Sequence, residues 1–260
     1  MRLKHLSNGS IEFDENLQVI NEFADSWNAE RTAYVMELAY AIAIPNPEKL
    51  NKHYEVSTDE TYGEIRLHQL EKLLEHVKLT KSSIFLDIGS GVGQTTIYMA
   101  LRKKFKKCYG IEISTLPIIM STVLEEVTKR VFKLLGINTN FYSLKEGDCM
   151  DLQFVPIIRE CDVIFINDMK FTPELREKIT EMLVARMKDG ATVITSGGAL
   201  GLENRRRINV RNINNLKAYF ETVKVKGEID GVSWTSKPAE FWINKLNRKR
   251  VQAFKSHGNY

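Results

Sequence analysis

The chain contains few residues of the kinds that mark secreted, membrane-embedded or metal-binding proteins. It has three cysteines among 260 residues, Cys108, Cys149 and Cys161. Their number is odd and their spacing matches no zinc pattern, so we interpret them as reduced thiols of an intracellular protein. The five histidines are scattered, and we expect no metal site. No apolar run approaches the ~20 residues of a membrane span, and the first residues are too polar for a secretory signal. We therefore expect a cytoplasmic or nuclear protein without a membrane partner.

Basic residues only slightly outnumber acidic residues, but they are unevenly distributed. The net charge is only +4 at pH 7. Three short segments are nevertheless rich in lysine and arginine, namely 102–107, 205–211 and 245–260, and the last of them contains no acid. Such clusters are usually solvated faces, but three in one chain also suit a polyanionic partner. The sequence leaves both interpretations open.

Hydrophobic spacing divides the chain into an N-terminal helical region and an α/β domain. Apolar residues recur at helical spacing between residues 11 and 43 and stop at Pro45 and Pro47, and the polar segment 48–63 predicts a connecting loop. Helical spacing returns at 67–79. Beyond it, strands are predicted at 83–88, 107–113, 141–147, 162–167 and 191–196, with helices at 94–103, 117–135 and 173–188.

The alternation of strands and helices predicts a doubly wound, mostly parallel sheet of the Rossmann-like kind. The helix at 173–188 has clear end signals, with Thr172 as N-cap, Pro173 at its first position and Gly190 just beyond its end. After residue 219, two strand-like stretches flank a turn-forming segment at 231–238. They predict a hairpin that adds antiparallel strands at the edge and completes a seven-stranded sheet.

A glycine-rich turn follows the first predicted strand directly. Residues 87–94 read DIGSGVGQ, and a predicted helix begins at Gln94. Glycines let the backbone turn tightly and approach a ligand closely, while the helix presents its N-terminal amides. In such sheets the ligand lies beyond the carboxyl ends of the strands, at the point where the strand order reverses.

Two acids narrow the choice of ligand. The glycine spacing is neither that of dinucleotide-binding turns nor that of phosphate loops. Asp87 precedes the turn, and Glu112, 23 residues after Gly89, ends the next strand, where a carboxylate can accept both hydroxyls of a ribose. This combination indicates S-adenosylmethionine as cofactor. Taken alone, Asp87 could equally be a carboxylate that caps the amides of the turn.

Two further positions fit the same site. Asp148 follows the third strand, where its carboxylate could reach an adenine amino group, and Asn167 ends the fourth, where substrate would meet the methyl donor. Without the other residues, each could be an ordinary turn residue in a polar loop.

Residues 54–243 resemble the non-SET histone lysine methyltransferases of the disruptor-of-telomeric-silencing family. Four ordered segments carry the resemblance: TYGEI at 61–65, DIGSGVGQTTIYMA at 87–100, INDMKFTPEL at 166–175 and VSWTSKP at 232–238. It implies a class I methyltransferase sheet and methylation of a lysine on the globular core of histone H3 in nucleosomes. It also implies nuclear localisation and contacts of the basic clusters 102–107, 205–211 and 245–255 with DNA phosphates. The domain would occupy residues 59–246, between an N-terminal region at 1–58 and a basic tail at 247–260.

The resemblance also implies a role for each matching position. The loop at Tyr62, Gly63 and Glu64 would cover the methionine end of the cofactor, with Glu64 facing the ammonium group. Asn167 would lie beside the methyl group, and a narrow channel for the lysine would be lined by Phe171, Trp234 and Phe241. Without the resemblance to the family, each of these aromatic residues would be interpreted as an ordinary residue of the hydrophobic core. The cofactor-binding residues would be Tyr62, Gly63, Glu64, Asp87, Gly89, Gly91, Gly93, Gln94, Glu112, Asp148, Cys149 and Asn167.

The chain departs from the family pattern at four positions. Ile65 stands where threonine is usual, and Cys149 where an aromatic residue often stacks on adenine. Both changes are expected to weaken cofactor binding. Asp168 replaces a second asparagine and Phe241 a tyrosine, which we expect to change the polarity of the lysine channel. The sequence offers no obvious acid–base pair, and none is expected.

Two other functions remain open from the sequence. A nucleic-acid methyltransferase would also suit a basic surface, but residues 167–170 lack the prolines and the aromatic residue that hold a flipped base, and the Pro-Cys nucleophile of cytosine enzymes is absent. A chromatin-binding module that has lost turnover is the other alternative, suggested by Ile65 and Phe241.

Overall fold

Seven strands and seven α-helices can be followed in the computed structural model, which describes residues 28–47, 50, 63–202, 208–209 and 211–257. The strands are β1 Ile84–Ile88, β2 Lys107–Glu112, β3 Phe141–Glu146, β4 Val163–Ile166, β5 Thr192–Thr195, β6 Phe220–Lys226 and β7 Glu240–Leu246. The helices are α1 Ala29–Ala43, α2 Leu67–Leu74, α3 Gln94–Leu101, α4 Thr115–Leu134, α5 Val155–Glu160, α6 Pro173–Arg186 and α7 Arg248–His257. Within these ranges, no helix is long and apolar enough to cross a lipid bilayer.

All seven strands form one sheet in the order β3-β2-β1-β4-β5-β7-β6. The first five are parallel, with Phe85 opposite Cys108 on one side of β1 and opposite Val163 on the other. Central parallel strands are covered on both faces, which explains why they read as short unbroken apolar runs. The predicted Rossmann-like, seven-stranded sheet is confirmed, and its order reverses between β1 and β4.

The last two strands form the predicted antiparallel hairpin. β7 lies between β5 and β6, with Ile243 opposite Ile194 of β5 and opposite Val223 of β6. β6 is the edge strand and exposes Val223 to solvent. Reversal of direction at β7 closes this side of the sheet and places the connection between β6 and β7, residues 227–239, near the carboxyl ends of the parallel strands.

Two apolar layers cover the sheet. One contains residues of α1 to α4 together with Phe85 and Phe165. The other contains residues of α5 and α6 together with Leu86 and Ile164. Successive strand residues thus point to opposite layers, as the two-residue period of a strand requires.

Capping residues define the ends of α1 and α6. Asn28 caps α1 by accepting a hydrogen bond from the Arg31 amide at 3.0 Å. At α6 the predicted cap is confirmed, since Thr172 accepts from the Leu175 amide at 3.2 Å and Pro173 occupies the first turn. Residues 11–27 and 48–62, predicted as part of the N-terminal helical region and as a loop, lie outside the described residues apart from Leu50.

The predicted basic tail is in part a docked helix. In α7, Val251 is buried against Ile213 and Ala218, and the Arg248 guanidinium donates to the carbonyl oxygens of Val184 and Met187 at the end of α6. These carbonyls have no partner within their own helix, so a cation is well placed there. The segment from Arg248 to His257 is therefore part of the folded domain.

Candidate active site

A cavity lies at the carboxyl ends of β1, β2 and β4, where the strand order reverses. This is the position that the sheet topology predicts for a ligand. Eleven predicted site residues line it: Gly63, Glu64, Asp87, Gly89, Gly91, Gln94, Glu112, Asp148, Cys149, Asn167 and Phe171. Tyr62 lies outside the described residues, and Gly93, Trp234 and Phe241 lie elsewhere.

The glycine turn adopts a conformation that other residues would strain. Gly89 and Gly91 have φ angles of 76° and 55°, in the left-handed region that favours glycine. The amides of Gly89 and Ser90 both donate to the carbonyl oxygen of Ile111, at 2.8 and 3.1 Å. The turn is therefore attached to the end of β2 before it enters α3.

Glu112 fixes the other side of the turn. Its carboxylate is buried and accepts from the Gly91 amide through Oε2 and from the Ser114 amide through Oε1, both at 2.8 Å. A carboxylate can accept about four hydrogen bonds in all, and Glu112 also lines the cavity. Glu112 can thus hold the turn and receive ligand hydroxyls at once.

Asp87 is buried beneath the turn at the end of β1. Burial, and to a smaller extent the charge of Glu112, raises the pKa of the Asp87 carboxyl to about 8. A cationic ligand in the cavity would favour the ionised form of both acids. The site is therefore suited to a ligand that carries both hydroxyl groups and positive charge.

Replacing Asp87 with asparagine is expected to change how stability depends on pH. Unfolding lowers the pKa of this carboxyl from about 8 to its ordinary ~3.9, so between these values the folded wild type retains a proton that the unfolded chain releases. Wild-type stability therefore falls as pH rises from about 4 to 8, by up to ~1.4 kcal/mol per pH unit. Urea unfolding of the ligand-free proteins should show Asp87→Asn gaining stability relative to wild type across that window. Parallel pH profiles would contradict the burial of a protonated Asp87.

Gly63 and Glu64 form a short loop over the cavity that is attached to three other parts of the chain. Glu64 is paired with Ser233 through its amide at 2.8 Å and its carbonyl at 2.9 Å. The Tyr40 hydroxyl donates to Glu64 Oε1 at 2.8 Å, and Asn167 Nδ2 donates to the Gly63 carbonyl at 2.5 Å. The ring of Trp234 packs on Gly63, where an added Cβ would lie 2.9 Å from Trp234 Cε3.

Asn167 links this loop to the end of β5. Its Oδ1 accepts from the Ser196 hydroxyl at 2.6 Å, while its Nδ2 serves the Gly63 carbonyl. The two bonds fix which end of the amide faces which neighbour. Asn167 thereby connects β4, β5 and the loop over the cavity.

Residues 40–246 match the family described as histone methylation protein DOT1. The match includes every strand of the sheet and every residue that lines the cavity. The chain belongs to this family.

Relatives within the DOT1 family are much longer than this chain. A histone-lysine N-methyltransferase, H3 lysine-79 specific, from Caenorhabditis elegans is 31% identical over 238 residues, which cover 91% of this chain and 25% of that protein. The protein of the same description from Drosophila melanogaster is 28% identical over 235 residues, covering 90% of this chain and 12% of that protein. The chain thus spans a quarter or less of the length of these relatives.

Among solved structures, an O-methyltransferase from Bacillus cereus in complex with SAH aligns with a TM-score of 0.45 at 14% identity, over 88% of this chain and 97% of that one.

Asp168, one of the departures from the DOT1 pattern, does not affect the cavity as predicted. It does not line the cavity but accepts from the Ser196 and Gly197 amides at 3.0 and 2.7 Å, with Arg176 Nε 3.4 Å from its Oδ2. Arg176 also donates to the carbonyl oxygens of Asp168 and Gly197 at 2.6 Å. The expectation that Asp168 alters the polarity of the lysine channel is therefore wrong. Its carboxylate instead joins the ends of β4 and β5 through these hydrogen bonds and the contact with Arg176.

Cys149 and Ile65, two other departures, do lie at the cavity. Burial raises the pKa of the Cys149 thiol to about 12, so the thiol is neutral and adds a small apolar surface. The main chain of Ile65 is bridged to Val232, which continues the attachment of the loop at Gly63. Neither contact replaces the wide ring surface usual in the DOT1 family at position 149.

Three predicted residues do not line the cavity. Phe241 is fully buried in the core layer formed with α1 to α4, and its place at a lysine channel stays a prediction. Trp234 acts on the cavity through Gly63. Gly93 begins α3 with a φ angle of 81°, and an added Cβ would lie 2.3 Å from Leu144 Cδ1; the close packing of α3 on β3 requires it to be glycine.

Several residues at or beside the cavity were missed by the sequence analysis. Ile113 is 53% exposed although it directly follows a buried strand, and an apolar residue at that point is a pattern that could have revealed it. Lys170 and Met150 also line the cavity. Tyr40 and Ser196 contact Glu64 and Asn167 from distant parts of the chain, and no local pattern indicates them.

Proposed function

We propose that this chain transfers methyl groups from S-adenosylmethionine to a lysine in the globular core of histone H3 in nucleosomes. The single observation that carries this proposal is the DOT1 family match over residues 40–246, which contains the whole cavity. The relatives' names specify lysine 79 of H3, and we propose the same target here. Nuclear localisation follows from a chromatin substrate.

The residues of the cavity fit this cofactor. The Ser90 hydroxyl is about nine-tenths buried at the cavity wall and has no hydrogen-bond partner among the described residues. Glu112 lines the cavity, where its carboxylate would accept hydrogen bonds from ribose hydroxyls, and the exposed Ile113 side chain offers an apolar surface for a base. Burial raises the pKa of Asp87 to about 8, and a positively charged sulfur nearby would lower it again.

Each side of the cavity is proposed to hold one part of the cofactor. When bound, S-adenosylmethionine supplies a methyl group on positively charged sulfur. Glu64 would face its ammonium group, and Glu112 and Asp148 would hold the ribose and the adenine. The cofactor's amino-acid end would pass over Asp87, Gly89, Gly91 and Gln94. Tyr62 and Cys149 remain predicted contacts, and Asn167 would lie beside the methyl group.

The chain's contribution to catalysis is proposed to be positioning and desolvation. A free lysine has a pKa of ~10.4, and neutralising it at pH 7 costs about 4–5 kcal/mol. The apolar wall at Phe171, with Leu175 and Ile179 beside it, would lower that pKa by excluding water. Near-attack alignment can contribute a further ~7–11 kcal/mol. Together these terms account for catalysis without an acid–base pair.

Contacts with nucleosomal DNA are proposed for a smaller set of basic residues than the clusters suggest. Arg102 and Lys104 form ion pairs with the half-buried Glu71, and Lys107 forms one with Glu160. Distant acids thus pair with three of the five basic side chains of the 102–107 cluster, and contact of the whole cluster with phosphates stays a prediction. Arg248 and Arg250 likewise donate to main-chain carbonyls.

The exposed cationic side chains of the segments 102–107 and 245–255 are Lys103, Lys106, Lys245, Lys249 and Lys255. In the cluster 205–211 the structure describes residues 208–209 and 211, so contact of this cluster with DNA phosphates stays a prediction. We propose that the exposed lysines supply the salt-sensitive part of nucleosome binding.

Two variants of α7 should separate DNA binding from folding. Replacing Lys249 and Lys255 with alanine is expected to flatten the dependence of log K on log salt by about 2, because each phosphate contact contributes about 0.9. Arg248→Ala should instead lower the free energy of unfolding by about 2 kcal/mol, since it removes charged hydrogen bonds to two carbonyls. Nucleosome binding across a salt series and urea unfolding measure the two effects. An unchanged salt slope in the lysine variant would rule out these contacts. Deleting the whole segment from residue 245 would also remove the end of β7, so a loss of nucleosome binding could not be assigned to DNA contacts.

The proposed function is tested by offering the chain labelled S-adenosylmethionine with nucleosomes, free histones or DNA. Label on an H3 lysine in nucleosomes, located by mass spectrometry, is the expected result. Label on DNA would overturn it in favour of a nucleic-acid methyltransferase. Absence of label from all three substrates, with S-adenosylhomocysteine still bound, would indicate a binding module.

A further inference from the structure

The end of α1 reaches the loop over the cavity through one side chain. Tyr40 lies one turn before the end of α1, and its hydroxyl donates to Glu64 Oε1 at 2.8 Å. Its ring is half-buried against the core layer formed with α1 to α4. The phenol is therefore fixed at both ends, by the packing of its ring and by the carboxylate.

α1 is well anchored where Tyr40 leaves it. Thr32, Val35, Met36 and Ala39 are buried along one face of the helix, and the helix packs against α2, α3 and α4. Because the helix cannot shift without disturbing this layer, the position of the Tyr40 hydroxyl is set by the core of the domain. It provides a rigid reference point for a side chain on a loop.

The main chain of the loop and the side chain of Glu64 are held separately. Ser233 pairs with the amide and the carbonyl of Glu64, which fixes the backbone but does not act on the carboxylate. The bond from Tyr40 restrains the carboxylate itself. Glu64 also lines the cavity, so the direction of this carboxylate decides what it offers to a ligand.

We propose that Tyr40 is a positioning residue that holds the Glu64 carboxylate toward the cationic amino-acid end of the cofactor. The inference rests on the proposed function, because it assumes that the cavity binds S-adenosylmethionine. It extends the site to the N-terminal helix, which the glycine turn and its acids do not involve. Tyr40 does not itself contact the cofactor in this arrangement; it acts through Glu64.

The test compares two ligands that differ at the end of the cofactor that Glu64 faces. S-adenosylhomocysteine carries the ammonium group, whereas 5′-methylthioadenosine has the same nucleoside without the amino acid. Tyr40→Phe keeps the ring and removes only the hydroxyl. We expect it to weaken S-adenosylhomocysteine binding about tenfold, the loss typical of one hydrogen bond to a charged group. Binding of 5′-methylthioadenosine, measured by calorimetry on the same preparation, should stay unchanged.

Two controls separate positioning from a structural role. Tyr34→Phe changes an exposed tyrosine of the same helix and should affect neither ligand. In a Glu64→Ala background, Tyr40→Phe should have no further effect, since its target is gone. The ratio of the two affinities is taken within one preparation, so partial loss of folded protein cancels.

Three results would overturn the proposal. Equal weakening of both ligands by Tyr40→Phe would show a structural role, as would an undiminished effect in the Glu64→Ala background. Unchanged binding of S-adenosylhomocysteine would show that the hydroxyl does not position Glu64. A wild-type chain that binds neither ligand would instead reject the proposed function on which the inference rests.

Discussion

Replacing Glu112 with alanine is expected to weaken S-adenosylhomocysteine binding about 100-fold or more. The change removes the acceptor proposed for the ribose hydroxyls and leaves the Gly91 and Ser114 amides, each 2.8 Å from the carboxylate, without their partner. A buried donor without an acceptor costs about 1–3 kcal/mol, so the turn would lose the conformation that the ligand requires. Two such losses amount to roughly 3 kcal/mol, or about two orders of magnitude in Kd.

The matched control for Glu112 stands beside it in the sheet. Glu146 is opposite Glu112 in the register of β2 and β3 but is exposed, and it accepts from the Thr115 hydroxyl. Glu146→Ala should leave binding within about twofold of wild type. Glu112→Gln, which keeps one acceptor oxygen, should be intermediate. Calorimetric titration with S-adenosylhomocysteine measures all three variants, and equal affinities of Glu112→Ala and wild type would refute the assigned role.

Replacing Asn167 with alanine is expected to lower methyl transfer about 100-fold while binding of S-adenosylhomocysteine falls less than tenfold. The amide joins the Ser196 hydroxyl at the end of β5 to the Gly63 carbonyl above the cavity. Without it, the loop and the end of β4 are no longer fixed to one another, and a displacement of about 1 Å can cost two orders of magnitude in rate. The glycine turn and Glu112 remain intact, which preserves most of the binding.

The Asp variant of Asn167 tests the orientation of its amide. Asn167→Asp would place an oxygen against the Gly63 carbonyl, which now accepts from Nδ2 at 2.5 Å; we therefore expect no rescue of activity. Ser196→Ala removes one of the two bonds and should have a smaller effect. Asn138→Ala, at an exposed loop position, is the control. Single-turnover rates with nucleosomes give the comparison, and an active Asn167→Asp enzyme would contradict the orientation.

The sheet could be predicted from the sequence because its strands are buried on both faces. The segment predicted at 162–167 is β4, Val163–Ile166, and the segment predicted at 191–196 is β5, Thr192–Thr195. A short apolar run between polar segments leaves little freedom in where a strand begins and ends. The helix α5, Val155–Glu160, was missed since six residues are too few to show helical spacing.

The burial of Phe241 could not be predicted because alternation along a strand does not say which face meets the ligand. Phe241 and Ile243 point into the core layer, and the intervening Trp242 is only partly buried. The choice between the faces depends on where β7 joins β5, which is a tertiary property.

The basic clusters show a second limit of sequence analysis. A run of lysines and arginines is visible in the sequence, but the acids that neutralise it are not local. Glu71 pairs with Arg102 and Lys104 from about thirty positions earlier in the chain, and the Arg248 guanidinium meets carbonyls at the end of α6. From the sequence alone, a basic residue that stabilises the fold cannot be distinguished from one that binds a partner.

The attachments of Gly63 and Glu64 also bear on how long a reaction product stays bound. Tyr40, Asn167 and Ser233 belong to parts of the chain that lie far apart, so the loop can lift only when contacts to all of them break together. Four hydrogen bonds at about 1 kcal/mol each hold the lifted form to roughly one molecule in a thousand. On the proposed function, the spent cofactor lies beneath this loop, and we expect its release rather than bond formation to limit turnover. Under that regime, the spent cofactor competes with fresh methyl donor for the cavity, and the rate of the enzyme follows the ratio of the two in its surroundings.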